Sequence, residues 1–132
     1  MQIIRQRDAP TKELGREQRW YYQSEQLRVV ITRIPPGHVQ NEHRHEHLYD
    51  AVYVLEGEVE VSERLDGVLR SETVSAGDFV VFSPGPHHNV ANRPSAPAVT
   101  LTLKFSPDLR LDAEAFNALC ETDWYSFERD NR

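Results

Sequence analysis

Apolar and polar residues alternate along most of the chain, and turn-forming residues interrupt the alternation at short intervals. In VTLTLKF, from Val99 to Phe105, Leu101, Leu103 and Phe105 alternate with Thr100, Thr102 and Lys104, the period of a strand with one buried face. LRVVITRI, Leu27 to Ile34, reads as a strand that stops at Pro35-Pro36-Gly37, because proline has no N–H to continue a ladder. Arg19 to Tyr22 predicts a shorter strand before it. Asp50 to Leu55 and Glu58 to Leu65 flank Glu56-Gly57. The second of these meets Val68 to Val74 across Asp66-Gly67, and Asp-Gly between alternating runs is a strong hairpin signal. Asp78 to Phe82 and His87 to Ala91 are the remaining strand candidates, separated by the breaker SPGP. Only DAEAFNALC argues for a helix: Asp112 can cap it, Glu114 lies in its first turn, and Phe116 and Leu119 share one face. A short helix on the outside of a β body is expected, followed by a polar tail anchored by Trp124 and Phe127. The pattern is all-β, either a barrel or a double-sheet jelly roll, both of which manage exposed strand edges.

Composition narrows this picture. At 132 residues, with 39% hydrophobic and 27% charged residues, the chain suffices for one core, and no repeat or linker divides it. Residues 1–132 are expected to form a single domain. A net charge of -6 without a Lys/Arg cluster argues against nucleic acid and anionic membranes as partners. No apolar run reaches spanning length. Cys120 is the sole cysteine, so no intramolecular disulfide forms, and MQIIRQRDAP has no apolar signal-peptide core; a cytoplasmic location is expected.

The candidate chemistry is concentrated in the histidines, all six of which lie between His38 and His88. In HRHEHLYD, His43, His45 and His47 stand at alternate positions, so on a strand they share a face. Asp50 opens the next strand, and His88 begins the strand after SPGP. Three imidazoles and a carboxylate can bind a divalent transition metal with positions left open for water or substrate. His38 and His87 read as histidines of solvated loops, and Glu46, of opposite parity, as solvent-facing. Val52 and Val54 share the parity of Asp50 and should line the interior, while Tyr53 faces away. An apolar lining suits a small organic molecule better than a highly charged one. No motif supplies a general base, a paired nucleophile or a phosphate loop, and Cys120 reads as packing.

At these residues the sequence resembles the cupins. Gly37, His43, His45, Asp50 and Gly57 reproduce the spacing of the first cupin signature, with aspartate at the usual glutamate position. Gly77, Gly85, His88 and Asn92 match the second, except that Ser83 stands at the expected proline and Pro84 follows it. Motif one is thus 37–57 and motif two 77–92. The resemblance implies a double-stranded β-helix, a conical jelly-roll barrel, holding Fe, Mn, Ni or Zn through His43, His45, Asp50 and His88. It gives His47 no such role, so Asp50 ranks ahead of it. Aspartate is one methylene shorter than glutamate and retreats by roughly 1.5 Å, against a bond-length tolerance of about 0.2 Å, so either the backbone adjusts or Asp50 binds through water. The fold alone does not choose a reaction. A metal-dependent enzyme acting on a small organic molecule is expected, dioxygenase-like or cyclase-, isomerase- or decarboxylase-like; the alternative is a non-catalytic small-ligand binding or sensing module. A homodimer is expected through the strands of Arg19 to Ile34, with Trp20, Tyr21 and Tyr22 at the interface.

Overall fold

The computed structural model describes residues 1–93 and 96–132. After a 3-10 turn at Gln6–Asp8, the chain forms β1 (Thr11–Glu13), β2 (Glu17–Gln23), β3 (Leu27–Ile34), β4 (His43–Arg44), β5 (Tyr49–Glu56), β6 (Glu58–Leu65) and β7 (Val68–Ser75). It continues with β8 (Phe79–Phe82), β9 (His87–Ala91), β10 (Ala98–Phe105), α1 (Ala113–Thr122), β11 (Tyr125–Ser126) and α2 (Phe127–Asp130). The strands pair antiparallel into two sheets, ordered β1-β2-β3-β10-β5-β8 and β11-β4-β9-β6-β7. The β6–β7 hairpin turns at Asp66 and Gly67, with φ of 52° and 78°, the left-handed pair that a two-residue type I′ turn requires.

The inner faces of the two sheets supply the core. Ile34, Val52, Val54, Val59, Val61, Phe82, Val90 and Ala98 form one buried cluster. Each large aliphatic or aromatic side chain removed from water there contributes about 1.5–3 kcal/mol. Ile34, Val52, Phe82 and Val90 also line a cavity of ≈ 240 Å³ between the sheets. As expected, Val52 faces this interior, Val54 is fully buried and Tyr53 points outward, 37% exposed.

Three expectations are corrected. The period of two in β10 holds, but its faces are reversed: Thr100, Thr102 and Lys104 line the cavity. Polar residues can face inward here because the space beside them is a cavity, where their polar groups need not be buried against hydrocarbon. The histidine run is not a continuous strand; β4 ends at Arg44, and the chain bends at Glu46 and His47. Finally, α1 is not simply an outer helix. Asp112 caps it by accepting from the Ala115 N–H, Phe116 is fully buried, and Cys120 and Glu121 reach the cavity wall.

Candidate metal centre

The ladder between β4 and β9 places His43 directly opposite His88, so the two rings share a face with centroids 4.6 Å apart. Two residues on, the bend turns the chain so that His45 remains buried while His47 is directed outward, its side chain 63% exposed. Asp50 sits on β5 opposite Phe82 and Lys104, and its carboxylate is aimed at the imidazoles. Ligand atoms of His43, His45, Asp50 and His88 all lie within 4.8 Å of one another, and all four residues are buried. This His-His-Asp-His group can hold a metal ion. The methylene missing from Asp50 does not keep it from the cluster: its Oδ2 stands 2.9 Å from His45 Nε2 and 3.5 Å from His88 Nε2.

Hydrogen bonding fixes which ring nitrogens face inward. His43 Nδ1–H donates to the Asn41 carbonyl at 2.7 Å, and His45 Nδ1–H donates to the Asp123 carbonyl. A carbonyl only accepts, so each Nδ1 carries the proton and, in the neutral ring, each Nε2 presents a lone pair. Orientation of a ligating imidazole by a carbonyl behind it is the usual support of a metal site. The lone pair of His45 Nε2 then faces the Asp50 carboxylate across 2.9 Å, and two such acceptors attract only with a proton or a cation between them. Neighbouring ligands on one transition metal, with bonds of about 2.1 Å, stand about 3 Å apart. The other carboxylate oxygen, Asp50 Oδ1, is buried with no hydrogen-bond partner among the described residues. The donor set fits a divalent transition metal.

The electrostatics are consistent with a deprotonated ligand set. Burial, reinforced by the neighbouring His88, depresses His43 to about 3, so its ring is neutral at physiological pH. Burial alone would raise Asp50, but the Lys104 ammonium, 3.6 Å from Oδ1, together with the adjoining His45 and His88 rings, holds its carboxyl well below the ordinary value.

The polar tail supplies a support that the sequence pattern did not reveal. Asp123, 4% exposed, accepts from the backbone N–H groups of Glu46, His47 and Leu48 at 2.7, 2.9 and 3.1 Å, so it fixes the bend that carries His45. Trp124 stacks on His43 with centroids 5.3 Å apart, and Phe82 stacks on His88 at 4.3 Å. Asp123 lies some eighty positions from the histidines it supports, and no local sequence signal marks it. His87 opens the strand expected at His87 to Ala91, but it is paired rather than a free histidine of a solvated loop. It lies on β9 and meets Asp130 of α2 at 2.7 Å, an exposed contact that also takes in Arg44. His38 is half-buried beside Gly15 and Arg16. Cys120 borders the cavity, but burial raises its thiol, which disfavours the thiolate.

The cavity wall is more highly charged than an apolar lining would be. Lys12, Arg16, Arg28 and Lys104 all border it, together with Trp20 from β2. The inward parity of the six-stranded sheet accounts for part of this set, because Arg28 pairs with Lys104 and Lys104 with Asp50, placing all three in one row across the ladder.

Residues 30–104 match the model of the cupin domain, and the chain belongs to that family. Solved structures agree in fold. A Thermotoga maritima protein described as a predicted oxalate decarboxylase superposes with a TM-score of 0.70 at 17% identity, over 80% of this chain and 99% of that one. A Thermus thermophilus protein gives 0.67 at 26% identity, over 80% and 98%. Oxalate decarboxylase of Lactobacillus farciminis gives 0.65 at 20% identity over 76% of this chain, which spans only 32% of that enzyme. No curated protein matches the chain. No helix among the described residues is long and apolar enough to cross a membrane.

Proposed function

We propose that the chain is a small metal-binding cupin in which His43, His45, Asp50 and His88 hold a divalent transition metal, Fe, Mn, Ni or Zn, and that it works as a metal-dependent enzyme on a small organic molecule. The observation that carries this reading is the convergence of four buried ligand atoms within 4.8 Å, with three of the four residues bordering a cavity of ≈ 240 Å³. When bound, the metal supplies Lewis acidity or redox chemistry of the dioxygenase, cyclase, isomerase or decarboxylase kind. The protein's own residues do the rest. The Asn41 and Asp123 carbonyls hold the imidazole tautomers, and Trp124 and α1 shield the ligands from bulk water.

A second reading, a non-catalytic binding module, draws on the shortage of a free base. Glu121 is paired with Arg28 at 3.5 Å, and the Cys120 thiol is raised by burial. Metal analysis of untagged protein, followed by oxygen uptake and turnover assays with small carbonyl and phenolic compounds, separates them: metal with turnover supports the enzyme, metal with ligand binding alone supports the module, and absence of metal overturns both. Residues 1–132 are read as one functional unit, cytoplasmic and without nucleic acid or membrane partners. The homodimer is proposed, as expected, through Arg19 to Ile34, where Tyr22 is 41% exposed; the expectation of Trp20 as an interface residue is corrected, because its side chain borders the cavity. Light scattering tests the dimer; a monomer mass contradicts it.

A further inference from the structure

We infer that the cavity takes a small organic carboxylate, anchored on Arg16 with the Trp20 indole N–H as a second donor. This rests on the reading of the cavity as the ligand site beside the metal centre. Strands β1 and β2 are joined through Leu14, Gly15 and Arg16, and their register sets Lys12 opposite Gln18. From that turn, Arg16, Gln18 and Trp20 follow at alternate positions, and all three border the cavity. Gly15 makes the turn possible. Its φ is 75°, and a Cβ there would stand 3.0 Å from the His38 ring.

Charge accounting favours an anion. Of the four cations on the wall, Lys104 faces Asp50 and Arg28 faces Glu121, but Lys12 and Arg16 form no salt bridge among the described residues. Arg28 and Lys12 are further occupied by the Trp20 ring, each 4.1 Å from its centroid. Arg16 is half-buried, and burial pulls its guanidinium below the ordinary value, an effect that Asp50 only partly offsets. A cation held where its solvation is reduced gains most from an incoming anion.

Hydrogen bonding points the same way. Arg16 Nε and Trp20 Nε1 are both buried, and neither has a partner among the described residues. An unsatisfied buried donor is destabilising, so a ligand that accepts from both recovers that loss. A planar carboxylate matches the guanidinium fork. Val30, Val52, Phe82 and Val90 offer apolar surface to its carbon skeleton. The ≈ 240 Å³ volume limits the ligand to a small molecule.

The test is a titration of the full chain, with and without bound Mn²⁺, followed by intrinsic fluorescence, since Trp20 and Trp124 both border the cavity. Succinate and benzoate serve as carboxylate probes, succinamide and benzamide as their neutral counterparts, and inorganic phosphate as the competing oxyanion. At least one carboxylate should bind about tenfold or more tightly than its amide and more tightly than phosphate. Arg16→Gln should abolish that preference while leaving Mn²⁺ stoichiometry unchanged. Trp20→Phe, which keeps a ring but removes the N–H, should weaken the carboxylate several-fold. Should Arg16→Gln fail to fold, the wild-type preference and the Trp20→Phe loss decide the matter together. Equal binding of acid and amide, tighter binding of phosphate, no carboxylate binding at millimolar concentration, or an unchanged preference in a folded Arg16→Gln overturns the inference. Failure of Mn²⁺ to bind while the carboxylate preference persists overturns the metal reading instead.

Discussion

On the metal side of the cavity, His43 and His45 each have one nitrogen committed to a backbone carbonyl, and Asp123 secures the bend that follows them with three backbone hydrogen bonds. On the N-terminal wall, Arg16 Nε and Trp20 Nε1 are buried without a partner among the described residues, and Arg16 forms no salt bridge there. The first wall is held in place before anything binds, as a metal site demands, because ligand distances tolerate only a few tenths of an ångström. The second retains unused hydrogen-bonding capacity, as a ligand pocket does. The four ligands lie within residues 30–104, which match the cupin domain, whereas Arg16 and Trp20 lie outside that stretch.

The same difference decided what could be read from the sequence. His43, His45, Asp50 and His88 were legible because their spacing matches the cupin signatures, and the structure brings them together, whereas strand parity alone grouped His47 with them. The strands β3, β6 and β9 fall on the expected residues, and the helix starts at its expected cap. Arg16 was not legible, because it lies in the turn before β2, ahead of the strand expected at Arg19 to Tyr22, and no local pattern predicts the β1–β2 hairpin. Asp123 escaped because its partners lie 75 to 77 positions away. The β10 alternation was read correctly in period and wrongly in face. An apolar-inward rule fails where the inside is a cavity rather than a core, and Thr100, Thr102 and Lys104 show that failure.

The largest effect that would break the contrast is expected from Asp123→Ala. Three N–H groups lose their charged acceptor, so thermal or urea unfolding should show a loss of about 3 kcal/mol. Metal affinity should fall about 10- to 100-fold, because the bend carrying His45 is no longer fixed. Unchanged affinity in the folded variant would show that the metal side is not held by the tail.

Next comes Asp50→Asn, which removes the only negative charge of the ligand set and should weaken metal binding by about tenfold or more, read by competition with a chelating dye. Asp50→Glu keeps the charge and should bind metal better than the Asn variant. Lys104→Met has a smaller effect of opposite sign. Its ammonium, 3.6 Å from Asp50 Oδ1, competes with a metal for the carboxylate, so its loss should tighten metal binding by about threefold, most clearly at low salt. Weaker binding would mean that Lys104 supports the centre instead.

The smallest effect is predicted for Asp130→Asn, which removes an exposed carboxylate paired with Arg44 and His87. Those partners hold its carboxyl below the ordinary value of 3.8. A depressed carboxylate adds stability above the pKa of the unfolded chain and loses it as pH falls through the folded value, so any difference between variant and parent should shrink at acid pH. At neutral pH the melting temperature should drop by no more than about 3 °C, and metal content should not change.

Metal stoichiometry of the untagged protein, measured by elemental analysis in the wild type and in His43→Ala, His45→Ala, His88→Ala and His47→Ala, tests the central claim most directly. One transition-metal ion per chain is expected in the wild type and in His47→Ala, with strong loss in the other three while circular dichroism reports an intact β fold. Full metal retention in all three, or loss confined to His47→Ala, would contradict the assignment of the centre.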